Sequence, residues 1–429
     1  MKKEFANLFK GFSKLSYKDR LKTLKTAELL DDSEISYLEK GGLQSLDLGE
    51  KFIENALGYF QIPLGVATNF LIDDKEYIIP MAVEETSIIA AASKTAKWIR
   101  ENGKIETKVI GTDIIGQIQF AKIKNFETFE KNILQQKTYL IDLANKEVAF
   151  SMVQRGGGVT DLRVRRIDRG DGFFMGVVHI HMNPCDAMGA NVINQICEFL
   201  KEPLQQFTSE AVTMCILSNL VDTKLTQAIV TLNNIDPVLA LKIEEASRFA
   251  ELDPYRAATN NKGVLNGIDP ILVATGNDWR AVEAGVHAYA CNTGQYSSIT
   301  KWRANGSVLI GELKAPLIVG TVGGVTALHP TAKLALKILG VSSAIELSRV
   351  VAAVGLTQNL GALRALTTVG IIEGHMKLHI KNLSLGAGAT ETEMPFMIKA
   401  LEEVLALRKR ISLSNAIETL TDFRKKQKS

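Results

Sequence analysis

At 429 residues the chain exceeds what one hydrophobic core usually serves, so two or more substructures with room for a deep cleft are expected. A hydrophobic share of 46% beside 23% charged residues is the balance of a globular protein in water. With 50 basic and 47 acidic side chains the net charge is only +3, too weak a field for nucleic acid to be the main partner.

The opening stretch scatters charges among its apolar residues and lacks the continuous apolar region of a secretory signal. No apolar run reaches membrane-spanning length, so a cytoplasmic chain with no membrane partner is expected. Cys185, Cys197, Cys215 and Cys291 show no Cys-x-x-Cys spacing, which predicts reduced thiols and neither a zinc cluster nor a disulfide framework.

In chain order, residues 14–58 read as short helices with polar breaks. Strands are predicted over 65–70 and 76–83, then a helix over 87–100, which puts Glu84, Glu85 and Ser87 at a strand-to-helix junction. Unsatisfied helix amides at such a junction attract anions. From about Lys108 the texture changes to short strands over 108–111 and 114–121, an amphipathic helix over 128–144 and a strand over 148–153. A glycine triplet follows at 156–158, then strands over 161–166 and 174–181 joined by an Arg-Gly-Asp-Gly turn.

Beyond about Leu220 the pattern is helix-rich, with apolar helices over 264–274, 333–339 and 343–366. Glycines at 386 and 388 and a basic ending suggest a mobile C-terminal flap. The predicted fold class is α/β (α+β). A helix-rich large domain covers 1–109 and 221–374, a small non-Rossmann α+β domain is inserted over 110–220, and a helical flap covers 375–429.

Two segments sixteen residues apart set a cation and a carboxylate among glycines, Lys262 in Asn261-Lys262-Gly263 and Asp278 in Gly276-Asn277-Asp278. A buried ammonium beside a carboxylate keeps its proton and stabilises negative charge developing on a carbonyl oxygen, which suits acyl-group chemistry. A plain structural ion pair satisfies the same spacing. Glu85 and His375 complete a candidate proton-handling set, and His379, one helical turn on, is an equal candidate for the active imidazole.

Asp186, ahead of Ala187-Met188-Gly189-Ala190-Asn191, reads as the N-cap of a helix reaching about Leu200, either an ordinary cap or a place where ligand approaches backbone. No Gly-x-Gly-x-x-Gly follows a strand, and 319–326 lacks the Lys-Ser/Thr of a phosphate loop. That glycine-rich stretch is expected to pack around an acyl chain or another subunit. His179 and His181 share one face of a strand, where packing or metal binding is conceivable, but no third ligand is apparent.

Taken as a set, these segments resemble the class II 3-hydroxy-3-methylglutaryl-coenzyme A (HMG-CoA) reductases, almost from end to end. Glu54-Asn55-Ala56-Leu57-Gly58 is similar to the family's Glu-Asn-Val-Ile-Gly signature and Val83-Glu84-Glu85-Thr86-Ser87 to its catalytic glutamate segment. Asp186-Ala187-Met188-Gly189-Ala190-Asn191 is similar to its cofactor motif. Asp253-Pro254-Tyr255-Arg256, Asn261-Lys262-Gly263, Gly276-Asn277-Asp278-Trp279-Arg280 and Gly374-His375-Met376 complete the likeness.

The resemblance implies two hydride transfers from a nicotinamide cofactor, carrying the thioester through a hemithioacetal and mevaldehyde to mevalonate and free coenzyme A, with no metal. Lys262 would stabilise the oxyanion, Asp278 would hold that lysine, Glu85 would protonate the aldehyde oxygen and His375 the departing thiolate. Ser87, Arg256, Asn219, Asn266 and Gln358 would bind the hydroxymethylglutaryl part. Asp186, Met188, Gly189 and Asn191 would face the nicotinamide. A homodimer, assembling further in some members, is implied, with the flap closing over a site between subunits.

Members that use NAD place an aspartate before the glycine triplet. This chain has Val148 and Ala149 there, with Lys146 and Arg155 nearby, which favours NADPH over NADH, although Glu147 offers an alternative acid. The rival enzyme reading is the same fold oxidising mevalonate with NAD. A thiol-dependent hydrolase or acyltransferase using Cys185 or Cys291 lacks a persuasive Cys-His setting.

Overall fold

The structure is a computed structural model and describes residues 5–368, 380–408 and 410–428. Strands Leu64–Ile72 and Lys75–Ala82 form an antiparallel hairpin. Its turn residues Asp73 and Asp74 have φ of 48° and 61°, the left-handed pair a two-residue hairpin loop demands. That turn aims the Asp73 carboxylate at the Thr107 N–H, which donates to it at 2.8 Å, and at the Arg349 guanidinium. The hairpin is thereby tied to a second sheet and to a central helix.

The second sheet is antiparallel, in the order Gly103–Ile110, Leu225–Leu232, Val308–Ala315, Thr300–Asn305. Between its first two strands the chain builds a third antiparallel sheet, ordered Gly158–Asp168, Phe174–Asn183, Ile114–Ile123, Val212–Ser218. Helices Phe126–Gln135, Lys137–Glu147 and Ala190–Thr208 pack on it around Ile118, Phe120, Phe129, Ile133, Ile180 and Leu200. Helices Met394–Arg408 and Leu413–Lys428 bury a separate cluster that includes Ile380, Met397, Leu401 and Leu420.

Several elements depart from the sequence reading. The helix expected over 128–144 is broken at Gln136, whose φ of −101° and ψ of 6° are not helical. The strand expected over 148–153 is the short helix Phe150–Val153, where buried Ala149 and Met152 lie at helical rather than alternating spacing. The helix-rich reading beyond Leu220 overlooked three strands; in Leu225–Leu232 burial alternates, but polar Thr226 lies on the buried face and apolar Ile229 on the other, so hydropathy does not follow the alternation. Among the described residues no single helix is long and apolar enough to cross a membrane.

The helix Ala344–Thr367 runs through the large core, with 15 of its 24 residues buried, so it is apolar nearly all round. It crosses the helix Pro254–Ala274 where neither can carry a side chain. A Cβ on Gly267 would stand 2.9 Å from both the Gln358 Cβ and the Val354 carbonyl oxygen, and one on Gly355 would stand 2.8 Å from Ile268. A buried amide network clamps the same crossing. Trp302 Nε1 donates to Asn359 at 2.7 Å, Asn359 donates to Asn260 at 2.9 Å, and Asn260 donates to Ser298 at 2.7 Å. Asn261, fully buried, donates to the Ser297 carbonyl at 2.9 Å and accepts from the Ile299 N–H at 3.1 Å. The consecutive asparagines therefore fix the helix just before Lys262.

On the small sheet, His179 Nε2 lies 3.0 Å from the Gln117 amide nitrogen and 3.3 Å from an Arg165 nitrogen. Both are donors, so His179 accepts and is neutral. Burial, then Arg165, pushes its pKa down to about 4, and burial, then Arg163, lowers that of buried His181.

Replacing Gly267 by alanine should destabilise the chain by about 1–3 kcal/mol through overpacking, read as a lower urea midpoint; an unchanged midpoint would show that the crossing has slack. The histidines predict a pH effect. Their folded pKa values lie below the unfolded value near 6.5, so the unfolded chain binds more protons in acid, and this stability is full above pH 6.5 and lost as pH falls toward 4. The drop in Tm between pH 7.5 and pH 5 should accordingly be smaller in a His179→Gln/His181→Gln variant than in the parent. Equal drops would show that these imidazoles do not titrate on unfolding.

Candidate active site

Asp253 caps the helix Pro254–Ala274 by accepting from the Tyr255 N–H at 3.1 Å, with Pro254 in the first turn where its missing N–H costs nothing. Two turns on, Lys262 projects from the helix beside Gly263, where a Cβ would meet nothing within 4 Å. Its ammonium lies 3.5 Å from Glu85 Oε2, with side-chain exposures of 64% and 41%. This corrects the expected burial. Within one chain the ammonium faces open space, and its ion-pair partner is Glu85.

Asp278 does not bond to Lys262. It is the N-cap of the helix Trp279–Tyr289, accepting from the Ala281 N–H at 3.1 Å, and it lies 3.5 Å from the Arg280 guanidinium. The cap draws its carboxylate to its own helix.

Glu85 sits between the strand Lys75–Ala82 and the helix Ile88–Asn102, and Ser87 is the last residue before that helix. Ser87 adopts φ 84°, a left-handed conformation uncommon for a residue with a Cβ, and makes no capping hydrogen bond. Its Oγ is buried without a partner among the described residues, and so is Gln358 Oε1. Backbone strain and orphaned polar atoms together mark a place shaped for something other than the fold. Gln358 packs its Cβ on Gly267, the residue after Asn266, and Asn266 lies one turn beyond Lys262. Ser87 and Glu85 thus come from one loop, Lys262 and Asn266 from one helix face, and Gln358 from the helix crossing it.

Arg256 is in the first turn of the Lys262 helix but about 120° round it from Lys262. It makes no ion pair or hydrogen bond among the described residues, and burial lowers its pKa. His375 and His379 lie outside the described residues.

Two acidic groups went unnoticed as candidates in the sequence. Asp269 falls seven residues after Lys262, on the same helix face, and is hydrogen-bonded to Glu283 of the helix Trp279–Tyr289. Burial, then the Glu283 charge, pushes its carboxyl up to about 8 against the opposing pull of Lys262. The signal was the polar series Lys262, Asn266, Asp269 at positions i, i+4 and i+7 of a helix otherwise rich in buried apolar residues.

The expected cofactor segment forms a tight loop on the small sheet. Gly189, at φ 91°, is the N-cap of the helix Ala190–Thr208 and supplies no side-chain cap, so the amides of its first turn, including that of Asn191, are left for a ligand. A Cβ there would stand 2.6 Å from Ile114. Asp186, expected to cap this helix, instead accepts from the Ala344 N–H at 2.9 Å and so caps the central helix, while its carbonyl accepts from Thr321 N–H at 2.9 Å. The glycine-rich stretch packs on this turn within the chain. A Cβ on Gly320 would stand 2.7 Å from the Met188 nitrogen, and the Gly320 N–H donates to Asn277, neighbour of Asp278, at 2.8 Å.

Met188, Asn219, Ala281, Ile114, Ile193 and Ile318 line a mainly apolar pocket between the small sheet and the Asp278 helix. The Asn219 carbonyl closes on that helix so tightly that a Cβ on Gly285 would stand 2.5 Å from it. Arg155 and the glycine triplet flank the loop, the Arg155 carbonyl lying 3.6 Å from Cys185 Sγ. All four cysteines are free.

Comparison with known proteins places the chain in a family. A sequence model of the family described as hydroxymethylglutaryl-coenzyme A reductase matches residues 16–380. The chain is 42% identical to a 3-hydroxy-3-methylglutaryl-coenzyme A reductase of Archaeoglobus fulgidus over 419 residues, covering 96% of this chain and 94% of that one. It is similar to the solved 3-hydroxy-3-methylglutaryl-coenzyme A reductase of Streptococcus pneumoniae at a TM-score of 0.81 and 39% identity, covering 97% of this chain and 99% of that one. A second structure, the class II enzyme of Streptococcus pneumoniae bound to NADPH in open conformations, matches at a TM-score of 0.80 and 39% identity over 84% of this chain and 100% of that one. The chain belongs to the hydroxymethylglutaryl-coenzyme A reductase family.

Proposed function

We propose that this chain reduces HMG-CoA to mevalonate and free coenzyme A, using NADPH, with the chemistry at the Lys262–Glu85 pair. The observation that carries the reading is the set of polar groups, on the elements that carry or cross that pair, with no partner among the described residues. Among the described residues Ser87 Oγ and Gln358 Oε1 are buried without partners and Arg256 makes no ion pair or hydrogen bond, and Asn266 shares the face of Lys262. A hydroxylated dicarboxylic acyl group has the hydroxyl, carboxylate and carbonyl that such donors and acceptors bind.

NADPH supplies hydride when bound, and the residues do the rest. Hydride reaching a carbonyl carbon leaves a charge on oxygen, which the Lys262 ammonium stabilises. Glu85, 3.5 Å from that ammonium, is placed to give a proton to the same oxygen. Asp278 acts through its loop, holding Asn277 and Gly320 in register with the Asp186–Met188 turn. His375 is assigned by family likeness to protonate the departing thiolate.

The small sheet and its helices, within 110–220, take the cofactor. The uncapped N-terminus at Gly189 suits a pyrophosphate, Met188 and Asn191 border the nicotinamide, and Lys146 and Arg155 suit a 2′-phosphate. The NADPH-bound pneumococcal relative supports that choice. Residues 1–109 and 221–374 take the acyl-CoA, and 375–429 form the flap that carries His375. A cytoplasmic homodimer completes the reading, supported by Leu57 and Phe60, 99% and 94% exposed, on the arm after the short helix Gly49–Phe52.

A spectrophotometric assay with HMG-CoA and each reduced nicotinamide tests substrate and cofactor together. Oxidation of NADPH in preference to NADH is expected, and no oxidation of either would refute the function. Lys262→Ala should lower kcat by at least about a thousandfold with Tm unchanged, since one oxyanion donor is worth about that much. His375→Ala should spare reduction of free mevaldehyde far more than reduction of the thioester; equal losses would remove the thiolate role.

A further inference from the structure

Beyond the four groups given roles above lies the acid pair of Asp269 and Glu283, which that mechanism leaves idle. Resting on the reductase reading, we propose that the buried site of Asp269, together with Glu283 beside it, keeps a second negative charge away from the Lys262 helix face, so that the Lys262 ammonium is directed outward to Glu85 and the reacting oxygen, making Asp269 and Glu283 positioning residues for the oxyanion site.

The geometry is that of one helix face. Lys262, Asn266 and Asp269 fall at i, i+4 and i+7, so all three point to the same side, with Lys262 at the open end and Asp269 at the closed end. Asp269 Oδ1 is buried without a partner among the described residues, so an ionised carboxylate would keep a bare charge there. The charges acting on Asp269 are Glu283, from the helix Trp279–Tyr289, and Lys262, from its own helix. The crossing helix Ala344–Thr367 presents neutral Gln358 beside Gly267. Burial is the main cause that keeps Asp269 neutral, and Glu283 adds to it against the pull of Lys262.

An ionised Asp269 would act against reduction in two ways. It would compete with Glu85 for the ammonium, drawing Lys262 inward along the helix, and it would set a negative charge near the place where the alkoxide forms. Kept neutral, it does neither. Burial and Glu283 raise its pKa to about 8, so the neutral form holds through neutral pH and is lost in mild alkali.

The test is the pH profile of kcat for the full-length protein between pH 6 and 10, with HMG-CoA and NADPH. The parent should lose activity on an alkaline limb near pH 8. Glu283→Gln, which removes the repelling charge, should move that limb down by about one pH unit. Asp269→Asn, a permanent mimic of the neutral acid, should keep kcat at pH 7 within about threefold and flatten the limb, and Asp269→Asn/Glu283→Gln should behave like Asp269→Asn. A limb that stays put in Glu283→Gln, or persists unaltered in Asp269→Asn, overturns the proposal.

A pH-difference infrared spectrum with ¹³C-labelled aspartate reads the pair without turnover. A protonated aspartate carboxyl at pH 7 that ionises by pH 9.5 and is missing from Asp269→Asn is expected, and its absence from the parent overturns the proposal even where a variant fails to fold. A parent that reduces no substrate but shows this band would refute the reductase reading and leave the acid pair standing.

Discussion

The contact on which the site depends is the crossing of two buried helices at Gly267 and Gly355. Because neither glycine has a Cβ, the backbones approach until Gln358 rests on Gly267, the residue after Asn266 on the helix that carries Lys262. Interiors are close-packed, so this spacing cannot drift without displacing Val354 and Ile268 as well. The amide network through Trp302, Asn359, Asn260 and Asn261 fixes the rotation of the helix, and that rotation decides which way Lys262 points.

Around this rigid crossing the polar chemistry is arranged by depth. Lys262 and Glu85 stand at the open end, Ser87 Oγ and Gln358 Oε1 are buried and have no partner among the described residues, and Asp269 with Glu283 lies at the closed end. Unsatisfied groups of this kind weaken a fold and are tolerated where a ligand satisfies them. The left-handed Ser87 belongs to the same account, since its conformation adds strain and brings no cap in return.

The small sheet is joined to this centre by hydrogen bonds rather than by a shared core. Asp186 caps the central helix at Ala344, Thr321 donates to the Asp186 carbonyl, and Gly320 donates to Asn277. The loop expected to hold the nicotinamide is thus held by the elements that position Asp278 and Gln358.

Much was legible in the amino-acid sequence alone: the hairpin strands, the inserted α+β segment, the helix after Ser87 and the family itself, because Lys262, Asp278 and Asp186 stand in several motifs that follow one another in a fixed order along the chain. Periodicity failed where a polar residue sits on the buried face of a strand, as Thr226 does in Leu225–Leu232, and where one residue breaks a helix, as at Gln136. What only the tertiary structure decided is which group pairs with which. Lys262 meets Glu85 and not Asp278, Asp186 caps a helix 158 residues away, and Asp269 finds Glu283. The physical reason is that an ion pair or a cap depends on distances of a few ångströms, set by how elements far apart in the chain pack, whereas a motif records only which side chains are present.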